Sequence, residues 1–149
     1  LAAAGPLGEL IAQAAAERFS GQFDTVTWVP VSPKRLRKRG YDQSRLLAES
    51  ACRLWGVNPE RLLRKVRDNP AQSSLEDAAA RWRNTRRAYR PAGDAEGKRV
   101  LLIDDVCTTG STLCACAQTL RAAGAAEVVC AAAAFPCREG EITGEKAKE

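Results

Sequence analysis

Histidine and methionine are both absent from this 149-residue chain, and aromatic residues make up only 5% of it. Without histidine, and with no C-x2-C pair among six cysteines, a zinc site within these residues is not expected. Cys114 and Cys116 fall two apart on a predicted helix, where they point to nearly opposite sides and could not share one metal. The cysteines are therefore expected to be reduced thiols, packed as small hydrophobes. The missing methionine, with Leu1 in first place, gives the expectation of a processed or trimmed chain that has lost an upstream segment. No apolar run reaches the roughly 20 residues of a membrane helix, because Glu9, Glu17 and Arg18 interrupt the alanine-rich start. That start also lacks the basic and apolar regions of a secretory signal, so a cytoplasmic protein with no membrane partner is expected. The length suits one domain with one substantial core.

Positive charge is in excess, with a net charge of +5 at pH 7. It concentrates in KRLRKRG (34–40), RLLRKVR (61–67) and RWRNTRRAYR (81–90). Such clusters favour anionic partners, either nucleic acid or a highly phosphorylated small molecule. For any one cluster alone, a solvated surface explains the charge equally well.

Hydrophobic spacing predicts a helix over 6–18, with Leu7, Leu10, Ile11 and Ala14 along one face. FDTVTWVPV (23–31) is β-branched and aromatic, a strand ended by Pro30 and Pro33, with a loop to follow. A second helix over 41–56 has Asp42 as N-cap and Gly56 at its end, with Leu47, Ala51, Leu54 and Trp55 facing inward. A short strand or turn runs through Leu62, Leu63 and Val66. DNPAQSSL (68–75) is the best candidate for a mobile loop, 76–88 has helical character, and PAGDAEGK (91–98) is a surface connection. VLLID (100–104) has the pattern of a strand buried on both faces. A helix over 111–124, with Leu113, Cys116, Ala117 and Leu120 inward and Gly124 as its cap, leads to a parallel strand, EVVCAAAAF (127–135), whose Ala131–Ala134 run should be tightly packed. Trp28, Trp55 and Cys107 read as packing residues.

The stretch VLLIDDVCTTGSTL (100–113) carries the chemistry. Ligands of an open parallel sheet bind beyond the carboxyl ends of its strands, and this end delivers Asp104 and Asp105. The turn after them opens a helix near Ser111, whose free N–H groups and positive dipole end suit an anion. Thr108, Thr109, Ser111 and Thr112 add hydroxyls, and Gly110 lets the backbone approach closely. A P-loop fails for want of a lysine after Gly110 and of an upstream glycine. A haloacid-dehalogenase-type phosphatase would need its two aspartates separated by one residue. An ionised carboxylate accepts but does not donate, so it repels phosphate and suits a vicinal diol. A ribose diol beside a 5′-phosphate satisfies both halves.

This stretch resembles the phosphoribosyl pyrophosphate (PRPP) motif of type I phosphoribosyltransferases, and the chain from about 6 to 135 resembles their ComF/GntX-like, competence-associated branch, described as predicted amidophosphoribosyltransferases. The further matching segments are VPVSPKRLRKRGYDQ (29–43), RDNPAQSSL (67–75) and the R-x-x-N of Arg81 and Asn84. The resemblance implies an α/β fold: an open, mainly parallel twisted sheet flanked by helices, in one domain over 1–136, with a flexible hood at about 67–84 and a disordered tail over 137–149. It implies that Asp104 and Asp105 contact the ribose hydroxyls, that Thr108, Thr109, Gly110, Ser111 and Thr112 hold the 5′-phosphate, and that Ser32, Lys34 and Arg35 face the pyrophosphate. Arg67, Gln72, Arg81 and Asn84 would belong to the hood, with Arg81 joining the two aspartates as catalytic groups. Mg²⁺ is the implied cofactor, met by Asp104 and Asp105 directly or through water. The implied reaction displaces pyrophosphate from PRPP by a nitrogen nucleophile through an oxocarbenium-like transition state.

Relatives carry an N-terminal zinc ribbon that this sequence does not contain, Asp42 replaces a usual asparagine, and Asn69 stands where threonine is frequent. The competing expectation is a PRPP-sensing or DNA-uptake module without turnover, with basic clusters and Trp82 as a single-strand binding face. Few aromatics interleave those clusters, so this ranks second. Expected partners are PRPP and a nitrogen acceptor, then single-stranded DNA or competence proteins, and a second copy of the chain as a homodimer.

Overall fold

The computed structural model describes residues 3–68 and 78–135. Within them the order is α1 (Ala4–Arg18), β1 (Thr25–Trp28), α2 (Pro33–Arg39), α3 (Gln43–Trp55), β2 (Leu63–Lys65), α4 (Ala78–Arg87), β3 (Tyr89–Pro91), β4 (Arg99–Val106), α5 (Ser111–Ala122) and β5 (Glu127–Ala134). Strands β1, β4 and β5 form a parallel sheet in the order β1-β4-β5, and β2 with β3 forms a separate antiparallel ribbon. Gln72 and the expected tail over 137–149 lie outside the described residues.

The central strand is the predicted apolar run. Val100 to Ile103 are fully buried, because a strand hydrogen-bonded on both edges and covered on both faces leaves no position for a polar residue. Alternation sends Val100 and Leu102 into one core with Leu113, Cys116 and Leu120 of α5 and with Leu62, Leu63 and Tyr89 of the ribbon. Leu101 and Ile103 enter a second core with α1 and α3. The molecule is thus helix, sheet, helix in layers, the arrangement that covers both faces of a parallel sheet.

Helix α3 matches its expected capping. Asp42 accepts a hydrogen bond from the Arg45 backbone N–H at 3.3 Å, and Gly56 closes the helix with φ of 65°. The second Asp42 oxygen accepts from the Val31 N–H at 3.3 Å, which ties the start of α3 to the exit of β1.

Several inward-facing assignments need correction. Leu10 is 59% and Leu54 54% exposed, Ala14 is exposed, and Trp55 is only half-buried, tilted against Phe23 at 5.5 Å. The buried line of α1 is instead Ala4, Gly8, Ile11, Ala12 and Ala15. Small residues are selected there because α1 lies directly on α3: a Cβ on Gly8 would overlap Ser50, whose hydroxyl donates to the Gly5 carbonyl at 3.0 Å. On α5, Ala115 is buried and Ala117 half-buried. The Ala131–Ala133 segment is also only half-buried and Ala134 exposed, since β5 pairs on one side alone within the described residues. Among the described cysteines, Cys52 and Cys116 are buried, Cys107 and Cys130 half-buried and Cys114 exposed, all free thiols.

KRLRKRG is a helix, not the expected loop. Ser32 caps α2 by accepting from the Arg35 N–H at 3.2 Å, Pro33 occupies the first turn, and Gly40 ends it with φ of 81°. Proline just inside a helix start and glycine just past its end is a recognised pairing, and here it was hidden by the charge between them. Among the described residues no helix is long and apolar enough to cross a membrane.

Candidate functional site

Pairing of Trp28 with Ile103 brings the exits of β1 and β4 side by side, and the Val29 N–H donates to the Ile103 carbonyl at 2.9 Å. Beyond those ends lie the start of α2 on one side and the Asp104–Leu113 segment on the other. This is where an open parallel sheet presents a crevice.

Asp104 is 6% exposed. Its Oδ1 accepts from the Ser44 hydroxyl at 3.0 Å and from the Asp105 backbone N–H at 2.8 Å. Burial, then the adjoining Asp105 carboxyl, push the Asp104 carboxyl up to about 7. Asp105 is half-buried, and its Oδ1 accepts from the Val106 N–H at 2.8 Å. One carboxylate is therefore held inside the crevice wall and the other on its lip.

A group whose folded-state pKa is raised contributes stability at low pH and loses it as pH rises toward the folded value. Asp104→Asn keeps an oxygen for both donors and removes the buried charge. The variant is expected to match the parent near pH 4, gain as pH rises to about 7, and hold a plateau of at most about 4 kcal/mol above that, the equivalent of moving the carboxyl from its ordinary value to about 7. Thermal melts at pH 5 and pH 8 check this; an equal or negative difference at pH 8 counts against it.

After Asp105 the chain turns through Thr108 and Thr109 to Gly110, which precedes α5 with φ of 83°, a left-handed conformation that favours glycine. Gly110 has no side chain with which to cap α5, and the Ser111 N–H donates to the Thr109 hydroxyl at 3.4 Å. Thr109 and Ser111 hydroxyls lie 2.9 Å apart at this mouth. Asp104, Thr108 to Thr112 and their neighbours line a recess of about 30 Å³, the scale of a small anion's oxygens rather than of a nucleotide.

Lys65 is a member of the site that the sequence reading did not single out. It sits half-buried on β2 with its ammonium 5.5 Å from the Tyr89 ring centre. Burial and the nearby Arg35 hold it below the usual lysine range, while Asp68 and Asp104 act in the opposite sense. The Thr112 side chain lies beside the Tyr89 hydroxyl. Arg35, Lys65, Tyr89, Thr112 and Asp104 therefore share one neighbourhood, drawn from α2, β4, α5 and the β2–β3 ribbon. Strand periodicity was the available signal: Leu63 is buried, so Lys65 two residues on must face the same way.

The other predicted residues are less gathered. Ser32 is 3% exposed and its hydroxyl is engaged in capping α2. Lys34 and Arg35 are exposed on the first turn of α2. Arg67, Arg81 and Asn84 are exposed, and among the described residues no ion pair joins Arg67 or Arg81 to either aspartate. Trp82 is half-buried against the α5-side core and is not an open stacking platform.

A parallel sheet with paired acids and a Gly110-led turn at its carboxyl edge defines an α/β protein with its candidate site beyond the strand ends. Comparison with known sequences gives the class a family: residues 44–148 match the phosphoribosyl transferase domain, and the chain belongs to that family, on its ComF-like, type I branch. The DNA utilization protein YhgH of Salmonella typhi is 35% identical over 106 residues, 70% of this chain and 46% of that protein. Competence protein F of Haemophilus influenzae is 34% identical over 104 residues, 67% of this chain and 45% of that protein. The chain spans about half the length of these relatives. Among solved structures, the glutamine PRPP amidotransferase of B. subtilis superposes with a TM-score of 0.62 at 30% identity, over 90% of this chain and 26% of that one. The fold is that of type I phosphoribosyltransferases.

Proposed function

We propose that this domain binds PRPP with Mg²⁺ and transfers its phosphoribosyl group to a nitrogen nucleophile, releasing pyrophosphate. The observation that carries the reading is the pairing of buried Asp104 and half-buried Asp105 with the Gly110-led start of α5, which supplies acceptors for a diol and donors for a phosphate a few residues apart. The 5′-phosphate would sit in the Thr108–Thr112 turn, the ribose hydroxyls against Asp104 and Asp105, and the pyrophosphate toward Lys34, Arg35 and Lys65. Arg67, Gln72, Arg81 and Asn84 would reach the ligand from the hood.

Mg²⁺ is bound through one or two carboxylates together with water and substrate oxygens, a donor set that Asp104 and Asp105 fit. When bound, it would neutralise charge on the departing pyrophosphate. The chain's own contribution is electrostatic. As the bond to pyrophosphate stretches, positive charge grows on the ribose ring beside Asp104 and Asp105, and negative charge grows on the leaving group near Lys65 and Arg35.

The test is a pyrophosphate-release assay with PRPP, Mg²⁺ and a panel of nitrogen acceptors, run beside a PRPP binding titration. Acceptor-dependent release supports transfer. Binding without release across the panel favours the second reading, a PRPP-responsive accessory module, which draws on the likeness to a competence protein and a DNA utilization protein. Absence of PRPP binding overturns both.

A further inference from the structure

Cys107, Cys114 and Cys130 gather on the α5 side of the sheet, and the proposed binding of PRPP uses none of them. Cys130 pairs in register with Leu102, and both it and Cys107 pack against the core that α5 covers. Burial first, then Cys114 and Cys107, push the Cys130 thiol up to about 11, which places both neighbours within electrostatic reach of it. Among the described residues no group of three or more His, Cys, Asp or Glu is placed to hold a metal ion. Thiol–disulfide chemistry is what such a gathering offers.

The chain reverses between Cys107 and Cys114. Strand β4 runs into the turn and α5 runs back from it, because β4 and β5 are parallel and α5 is their crossover. Cys107 stands three residues before Gly110 and Cys114 four after it, so the two flank the reversal. Cys107 is anchored, since its N–H donates to the Ala134 carbonyl at 2.9 Å. Cys114 is tied to the turn itself: its N–H donates to the Gly110 carbonyl, also at 2.9 Å.

Exposure separates these thiols from the structural ones. Cys52 and Cys116 are buried, and burial pushes both thiols up. Cys114 is exposed, where sulfur gains little from packing and a dissolved oxidant reaches it. Half-buried Cys107 is the thiol across the reversal.

We infer that Cys114 and Cys107 form a redox site, which a peroxide oxidises to a disulfide that closes the phosphate turn into a ring. In the first step the Cys114 sulfur attacks a peroxide oxygen. An S–O bond forms, the O–O bond breaks, and the departing oxygen takes the thiol proton and leaves as water. The Cys107 sulfur then attacks the sulfenic acid; the S–S bond forms, the S–O bond breaks, and a second water carries off the remaining proton. The thiols lose two electrons in all and the peroxide gains them. A dithiol reverses the link by exchange.

A disulfide sets its Cα atoms about 4.4–6.8 Å apart. With Cys107 anchored to β5, adjustment falls on Gly110 and the first turn of α5, where the 5′-phosphate would sit. The effect on ligand binding rests on the PRPP reading, whereas the thiol pair does not. Linkage makes the effect reciprocal, so PRPP that holds the turn opposes oxidation.

The experiment treats the full chain with equimolar hydrogen peroxide and maps cysteine links by mass analysis of unreduced peptides. PRPP with Mg²⁺ is titrated before oxidation, after it, and after dithiothreitol. The expected result is a Cys107–Cys114 link, PRPP binding weakened at least about 10-fold, and recovery on reduction. Cys114→Ser should form no such link and keep its affinity through the same treatment, and PRPP with Mg²⁺ present during oxidation should slow linking of the parent. A principal link to Cys130 or Cys137, further oxidation of Cys114 without a link, equal loss of affinity by treated Cys114→Ser, or unchanged PRPP affinity of the linked parent would each overturn the proposal. A Cys107–Cys114 link in a protein that binds no PRPP even when reduced would instead overturn the proposed function, and with it the effect on the ligand but not the redox pair.

Discussion

Replacement of both acids, Asp104→Asn with Asp105→Asn, is expected to weaken PRPP binding by at least about 100-fold while leaving a cooperatively folded domain. Hydrogen bonds from a ligand to charged groups contribute about 1.5–3 kcal/mol each, and loss of two such acceptors exceeds the roughly 2.7 kcal/mol that a 100-fold change requires. Folding should survive for a specific reason. Asp104 accepts from Ser44 and from the Asp105 N–H through a single oxygen, and an asparagine amide retains that oxygen. Calorimetric titration with PRPP and Mg²⁺, with thermal melts of both proteins, decides the matter. Undiminished binding by the double variant would remove the basis for a PRPP site, and loss of folding together with binding would recast Asp104 as a structural residue.

The second large effect is expected at Lys65. Its ammonium lies in the neighbourhood of Arg35 and Asp104, close to the Tyr89 ring. Lys65→Met preserves the length and the contact with Tyr89 but removes the charge, and should weaken PRPP binding by about 10- to 100-fold, the equivalent of one charged hydrogen bond. Ribose 5-phosphate carries no pyrophosphate and should bind the variant nearly as it binds the parent. That contrast is the informative part. An equal loss for both ligands would mean that Lys65 orients the ribbon rather than meeting pyrophosphate, and unchanged affinity for PRPP would remove it from the site.

Stability and function are opposed at Asp104. A carboxyl buried to this degree resists ionisation, yet a metal- and diol-binding role needs it ionised. The unliganded domain therefore carries a cost near neutral pH that a bound cation would offset. Such local conflicts are expected at sites kept for chemistry rather than for folding.

Legibility differed from element to element for physical reasons. The central strand was readable because burial on both faces forces every residue of Val100–Ile103 to be apolar. Helix α3 was readable because capping is a local property of Asp42 and Gly56. Helix α2 was missed although Ser32, Pro33 and Gly40 mark its ends, since none of its residues is buried and no apolar period could reveal it. Hydrophobic spacing misplaces the inward face of α1 because it favours the largest residues, and most of those buried are small. Close approach of α1 to α3 selects the smallest, Gly8 and its alanine neighbours.

By itself, the sequence determined the family, the parallel strand-helix-strand unit and the pairing of acids with a phosphate-type turn. All of these depend on residues near one another in the chain, where periodicity, capping and hydrogen-bonding type act locally. Only the tertiary structure decided that Ser44 lies against Asp104, that Lys65 and Arg35 share the crevice with it, and that Arg64 faces Arg90 across a ribbon. Those relations join residues from about 25 to 70 positions apart, and their closeness follows from strand register and helix packing, which no local pattern encodes.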